Sequence, residues 1–387
     1  MKILQINSVC GIRSTGRICT DLAEVLEQNG HECKIAYGRE TVPEKYQKYA
    51  VRIGNDFDVK LHALQSRIFD NTGFGSRHTT EKFIKWVEEY DPDVIHLHNI
   101  HGYYINIEVL FNYLVKADKP VVWTLHDCWT FTGHCAYYSY VKCDKWKTGC
   151  YKCPQKNHYP SSLLLDASKK NWQKKKALFT SVKNMTLVTP SKWLANEVKQ
   201  SCLSKYPVKV IPNGIDLNVF KPISSDFREK NGLVGKKIIL GVASIWDKRK
   251  GLDDFINLSK ILDDNYKIVL VGLSENQMKN LPKNILAISK TNNVQELAEI
   301  YTAADIFFNP TYEDNYPTVN LEAQACGTPV VTYRTGGSEE SVPEENVVKQ
   351  GDLTTLTYRI ENALGIAKST AFNKSILMKK YFGVYGL

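Results

Sequence analysis

The chain has 387 residues, 43% hydrophobic and 24% charged, as expected of a soluble globular protein with two domains of about 100–200 residues each. No apolar run reaches the roughly 20 residues that span a bilayer. The strand-like run after Lys2 is too short for a signal-peptide core, so the cytoplasm is the expected compartment and the ten cysteines are expected mostly reduced.

In chain order, KILQIN (2–7) reads as a buried strand. A glycine-containing loop follows, then a helix over ICTDLAEVLEQNG that Gly30 stops. CKIAYG (33–38), PDVIHLHN (92–99), PVVWTLHD (120–127), MTLVTPS (185–191) and VKVIPNG (208–214) read as further strands separated by helical segments. The pattern restarts at KKIILGVAS (236–244). LDDFINLSKILDD reads as a helix, YKIVLVG as a strand, VQELAEIYTAA as a helix, DIFFNPT as a strand, NLEAQACG as a helix and PVVTY as a strand.

The expected fold is therefore α/β, with two tandem Rossmann-like domains facing each other across a cleft. The domains are 1–213, with a Cys-rich insert at about 128–160, and 214–370. Residues 371–387 form a C-terminal helix and tail packing back on the first domain. In such folds ligands bind at the carboxyl ends of the strands, which draws attention to His126, Asp127, Ser244, Gly272 and Asp314.

Gly11 and Gly16 are spaced like a phosphate-binding P-loop, but Arg17 and Ile18 replace its Lys and its Ser or Thr. Nucleotide hydrolysis is thus disfavoured, while an anion contact or a plain tight turn both remain open. His96 and His98 share a strand face with His101 nearby, without a clear third metal ligand. His126 is placed to hydrogen-bond a hydroxyl or a backbone carbonyl. Cys135, Cys143, Cys150 and Cys153 supply four thiolates, so the insert reads as a structural zinc knot, with buried thiols as the plain alternative. Trp129, Tyr137, Tyr138 and Trp146 interleave with them as an aromatic platform.

Lys248-Arg249-Lys250-Gly251 stands between a strand and a helix, a good anion site. Asp314 ends a strand and Glu322 lies on the next helix. Coming from one loop-helix unit, they suit hydroxyl binding better than acid/base work across a bond. The amides of Thr318 and Val319 open that helix.

Net charge is +9, and the excess is local. Residues 151–210 hold 12 Lys against Asp166 and Glu197, which points to an anionic partner on one face. SKKNWQKKKALF (168–179) adds Trp172 and Phe179, so it reads either as a membrane-surface helix or as a solvated helix with two core aromatics.

Taken together, STGRI (14–18), DVIHLHN (93–99), TLHD (124–127), TPSKWL (189–194), IPNGIDLNVFKP (211–222), RKG (249–251), YEDNYPTVNLEAQACGTPVV (312–331) and RTGGSEE (334–340) resemble retaining glycosyltransferases of family 4, with the GT-B architecture. The insert GHCAYYSYVKCDKWKTGCYKCP resembles a bacterial subgroup for cell-surface polysaccharides. The resemblance implies transfer from a UDP- or GDP-sugar to a polysaccharide or lipid-linked oligosaccharide acceptor. The first domain would face the acceptor and the second the donor.

Under that resemblance Glu322 binds ribose hydroxyls, Asp314 and His126 the donor hexose, and Lys250 and Arg249 the diphosphate. Gly16, Arg17, Ser244, Asn315, Tyr316, Thr318 and Val319 complete the donor site. No cofactor is required, because protein cations take the metal's part. Three departures stand out. Asp314 is one methylene shorter than the usual Glu. No Arg stands near Ser244. Pro317 replaces a Gly and donates no NH.

A non-catalytic sugar-nucleotide-binding protein is the alternative. A nucleic-acid-binding protein would leave the second domain idle, so nucleic acid is not an expected partner. The protein is placed in the cytoplasm, with room for peripheral contact on the inner face of the plasma membrane.

Overall fold

The structure is a computed structural model and describes residues 1–365 and 369–387. The chain divides into two compact units, Met1–Pro212 with Ser375–Leu387, and Asn213–Lys374.

The first unit is built on a wholly parallel sheet of β1 (Lys2–Asn7), β2 (Glu32–Tyr37), β3 (Ala50–Arg52), β4 (Val94–Leu97), β5 (Val121–Thr124), β6 (Met185–Thr189) and β7 (Val208–Val210). Its order is β3-β2-β1-β4-β5-β6-β7. Side chains alternate between two cores, as a strand's period of two requires. Leu4, Ile6, Ile95, Leu97, Val121 and Trp123 pack on one face, against Leu110, Phe111 and Leu114 of the helix Ile107–Ala117. Ile3, Ile35, Val94 and Val122 pack on the other, against Leu22, Ala23 and Leu26 of the helix Arg13–Gln28. Burial on both faces explains why these strands read as continuous apolar runs.

The second unit repeats the design with β8 (Lys237–Val242), β9 (Tyr266–Val271), β10 (Ile285–Ile288), β11 (Ile306–Asn309), β12 (Val330–Tyr333) and β13 (Val347–Val348), all parallel, in the order β10-β9-β8-β11-β12-β13. Strand order reverses at β1/β4 in the first sheet and at β8/β11 in the second. These switch points leave a crevice beyond the strand ends.

Several elements depart from the sequence reading. LDDFINLSKILDD is α-helical only over Leu252–Leu258, where the Ser259 hydroxyl donates back to the Ile256 carbonyl at 2.8 Å, and it continues as turns to Leu262. The terminal segment forms two short helices, Lys374–Lys379 and Phe382–Tyr385, and Tyr381 and Tyr385 enter the core of the first unit.

Of the four interleaved aromatics, Trp129, Tyr138 and Trp146 are buried in the first unit's core, where Trp146 packs on Phe131 and Tyr138, and Trp129 on Phe179. Trp172 and Phe179 are buried too, so the helix Ser168–Phe179 offers solvent Lys169, Lys170, Lys174 and Lys176 with Gln173 and Ala177, and neither of its aromatics.

An apolar face lies elsewhere. The helix Asp56–Phe69 exposes Phe57, Leu61 and Leu64 at helical spacing, with Phe69 exposed at its end. The exposed Leu163, Leu164 and Leu165 are tied to that end, since the amides of Leu163 and Leu165 donate to the carbonyls of Arg67 and Ile68 at 2.7 and 3.2 Å. No helix among the described residues is long and apolar enough to cross a membrane.

Candidate active site

In the second unit the turns after β8 and β11 meet at the switch point. Asp247 caps the turn Lys248–Lys250 by accepting from the Lys250 amide at 3.0 Å. Gly251 follows at φ +73°, where a Cβ would lie 2.3 Å from the Pro310 carbonyl oxygen, so only glycine lets the two turns close. The Tyr312 amide donates to the Arg249 carbonyl at 2.8 Å, and Arg249 Nη1 donates to the Glu313 carbonyl at 2.9 Å. Lys250 Nζ donates to Asp314 Oδ2 at 2.5 Å. Arg249, Lys250 and Asp314 are thus brought together, with the Lys ammonium oriented by the Asp carboxylate. Ser244 stands exposed earlier in the same turn.

Beneath this pair the loop is held by a residue the sequence reading passed over. Asp254 Oδ1 accepts from the hydroxyls of Tyr312 at 3.0 Å and Tyr333 at 2.7 Å. Burial raises its carboxyl above the usual range, against those two hydrogen bonds. Glu313 is buried at 2% exposure and Asn315 at 3%, while Asp314 stays partly open, so the chain presents Asp314 rather than its neighbours. Gly336, at φ +52°, allows the Asp314 carbonyl to approach, and the Gly337 amide donates to it at 3.2 Å.

The helix Thr318–Ala325 starts at Pro317. Its first amides, Thr318 and Val319, have no carbonyl within the helix to bond. Glu322 lies on this helix at 3% exposure and accepts from the Tyr301 hydroxyl at 3.2 Å. Asn320 ties the helix to β11 and to Ser341, accepting from Asn309 Nδ2 at 2.8 Å and donating to Ser341 Oγ at 2.9 Å. The Tyr316 carbonyl accepts from Asn213 Nδ2 at 3.1 Å, and burial pushes its phenol up to about 12.

In the first unit, Gly16 and Arg17 lie within the helix Arg13–Gln28 rather than in a loop. The expected glycine loop is therefore shorter than Gly11–Gly16. At Gly16 the first helical turn packs closely on Val9, whose Cγ2 and carbonyl oxygen would sit 3.1 and 3.2 Å from a Cβ, a tight fit for any larger residue.

His126 follows β5 and lies beside two buried networks. His98 Nδ1 is 3.0 Å from His126 Nε2, and His98 Nε2 is 3.0 Å from Gln5 Oε1. His101 Nε2 is 2.8 Å from Asp127 Oδ2 and its Nδ1 is 3.0 Å from the Tyr159 hydroxyl. Burial works to raise Asp127, but the His101 charge and hydrogen bond, with the Trp129 amide, outweigh it and hold the carboxyl low. His96 turns away, to the hydroxyls of Tyr385 at 2.7 Å and Thr124 at 2.8 Å.

Cys135, Cys143, Cys150 and Cys153 line one small pocket beside Trp146 and Pro154. The Gly133 amide donates to Cys150 Sγ at 3.1 Å. The hydrogen bond from Cys135, then His134 and the Gln155 amide, hold the Cys153 thiol below the usual range against burial, while its partner Cys135 is pushed well above it. Among the described residues, no three Cys, His, Asp or Glu side chains are gathered closely enough to hold a metal ion.

Comparison with known proteins places this geometry. Residues 15–219 match the model of Glycosyltransferase Family 4, and residues 224–370 match that of Glycosyl transferases group 1. WcaC of Escherichia coli (strain K12), a candidate colanic acid biosynthesis glycosyl transferase, is 26% identical over 372 residues, covering 90% of this chain and 89% of its own. Sucrose-phosphate synthase of Thermosynechococcus elongatus superposes with a TM-score of 0.66 at 17% identity, covering 99% of this chain and 96% of that one. HepE of Anabaena, solved with UDP and glucose, gives 0.64 at 16%, covering 100% and 95%. These structures share the two-sheet GT-B architecture. With more than half of its length matched by one family model, the chain is a glycosyltransferase and belongs to glycosyltransferase family 4.

Proposed function

We propose that the enzyme transfers a sugar from a nucleotide diphosphate sugar to a hydroxyl of a bacterial surface polysaccharide acceptor, with retention at the anomeric carbon. The observation that carries this reading is the Lys250–Asp314 pair at the β8/β11 switch point, flanked by Arg249 and by the opening amides of the helix Thr318–Ala325. Lys250, Arg249 and those amides stabilise the negative charge that develops on the departing diphosphate. Glu322 accepts from ribose hydroxyls, and Asp314 from a hydroxyl of the donor hexose. The bound UDP and glucose of HepE favour a UDP-sugar, and the name of WcaC favours a polysaccharide product. Incubation with UDP- and GDP-sugars and an oligosaccharide acceptor, read by nucleotide release, tests the reading. A chain that binds a donor and never turns it over with any acceptor sinks it.

A lipid-linked acceptor would bring the enzyme to an anionic membrane surface. The exposed Phe57, Leu61, Leu64 and Leu163–Leu165 support that contact, with Lys60, Arg67, Lys169 and Lys170 exposed nearby. Sedimentation with phosphatidylglycerol vesicles should carry the protein down, and a Phe57→Ser, Leu61→Ser, Leu164→Ser variant should stay in solution. Equal sedimentation of both proteins overturns this assignment of the surface.

A further inference from the structure

Gln5 is fully buried at the centre of β1, and its amide has only one workable orientation. Its Nε2 lies 2.9 Å from the Cys19 carbonyl oxygen, which can only accept, and 3.3 Å from Cys33 Sγ. Oε1 must therefore face His98 Nε2, 3.0 Å away, and because an amide oxygen only accepts, that nitrogen carries a proton. His98 is sealed in the core under His96, with ring centroids 4.0 Å apart. Burial, with His96 and His126 beside it, holds its ring neutral, so Nδ1 is a bare lone pair. The next nitrogen, His126 Nε2, is 3.0 Å away and has to donate. The two rings lie within 12° of parallel at a centroid separation of 5.3 Å, as for rings meeting nearly edge to edge along an N–H···N line. Burial, first of all, pushes His126 down to about 4, against the charge of Asp127. The Asp127 carboxylate is already engaged by His101 and by the Trp129 amide at 2.9 Å.

We propose that Gln5 and His98 are positioning residues that lock His126 in the Nε2–H tautomer, so that its Nδ1 meets a ligand as a hydrogen-bond acceptor and selects a group that donates, such as a sugar hydroxyl. The identity of that hydroxyl rests on the function proposed above, whereas the tautomer does not. In this relay His126 is neither an acid nor a cationic partner for phosphate.

Full-length protein labelled with 15N-histidine, followed by long-range 1H–15N NMR near pH 7 and assigned by the signal lost in His126→Asn, reads the tautomers directly. Both His98 and His126 should appear as the pure Nε2–H form. An Nδ1–H form or an imidazolium at His126 overturns the proposal, whatever the activity. Gln5→Met keeps the bulk and removes the acceptor. It should convert His126 to a tautomer mixture and lower kcat roughly tenfold, with KM for the donor little changed. A Gln5→Met protein whose His126 signals match the wild type also overturns it. If Gln5→Met does not fold, the wild-type spectrum still decides. A wild-type chain with the expected tautomer and no turnover of any nucleotide sugar supports the relay and defeats the proposed function instead.

Discussion

Lys250 and Asp314 form an ion pair of 2.5 Å that ties the turn after β8 to the turn after β11. Each is only partly exposed, so the pair orients the ammonium while leaving it within reach of a ligand. Lys250→Ala should lower kcat by about 10²–10³-fold, the usual loss when one charge-stabilising donor is removed from an active site. Asp314→Asn should behave differently. It frees the ammonium, so UDP should bind at least as tightly while turnover falls. Steady-state kinetics with calorimetric UDP titration separate the two, and equal losses of UDP affinity in both variants would contradict the division of roles.

Glu322 is held at 3% exposure by Tyr301 on the helix Val294–Ala303. Glu322→Gln replaces a charge-assisted acceptor by a neutral one that also donates. Nucleotide affinity should fall by about 1.5–3 kcal/mol, roughly 10- to 100-fold. Tyr301→Phe should show a smaller loss of the same kind. Fluorescence or calorimetric titration with UDP and GDP checks both.

Lys175 is buried within the first unit, with Nζ donating to the carbonyls of Trp129 and of Thr132, the latter at 2.8 Å, and lying 3.5 Å from the Trp129 ring centroid. Burial lowers it from the ordinary 10.5 to about 7. Between those values the unfolded chain holds a proton that the folded chain lacks, so this group adds stability as pH rises through the window and adds none below it. Relative to Lys175→Met, the wild type should gain up to about 1.4 kcal/mol per pH unit between pH 7 and 10.5. Denaturant unfolding of both proteins across that range measures the difference, and parallel curves would refute it.

The cysteine pocket makes a compositional prediction. The four thiols that line it are expected to hold one structural zinc, with the Gly133 amide supporting the Cys150 thiolate. The sulfurs would have to draw together around the ion, since they are not gathered to that extent as they stand. Elemental analysis of protein purified under reducing conditions should find near-stoichiometric zinc, lost in Cys150→Ser together with several degrees of Tm. Metal-free, fully folded wild-type protein rules the zinc out.

Much of this was legible in the residues because buried parallel strands are short apolar runs, and the polar residues that end them have nowhere to go but the crevice. His126 and Asp314 drew attention that way, and Lys250 as one of three cations beside a helix start. Gln5 did not, since one glutamine inside KILQIN looks like a weak strand position until the Cys19 carbonyl and His98 appear on either side of it. Asp254 was hidden for a similar reason, because its partners Tyr312 and Tyr333 stand 58 and 79 residues away. The helix Asp56–Phe69 carries a clear apolar stripe, yet periodicity says nothing about whether a core or a surface receives it. Trp172 and Phe179 were ambiguous on the same ground and turned out to be core.

The last thirteen residues, Ser375–Leu387, belong to the first unit, where the Tyr385 hydroxyl meets His96 and the Tyr381 hydroxyl meets Thr124. Asn213–Lys374 is accordingly one uninterrupted segment placed inside a unit that is itself split in two. During synthesis, which runs from the N-terminus at about 5–20 residues per second, the second unit has its whole sequence before the first does. The first unit therefore depends on a segment made after the second, and until Tyr381 and Tyr385 arrive the polar edges of His96 and Thr124 lack these two hydroxyls.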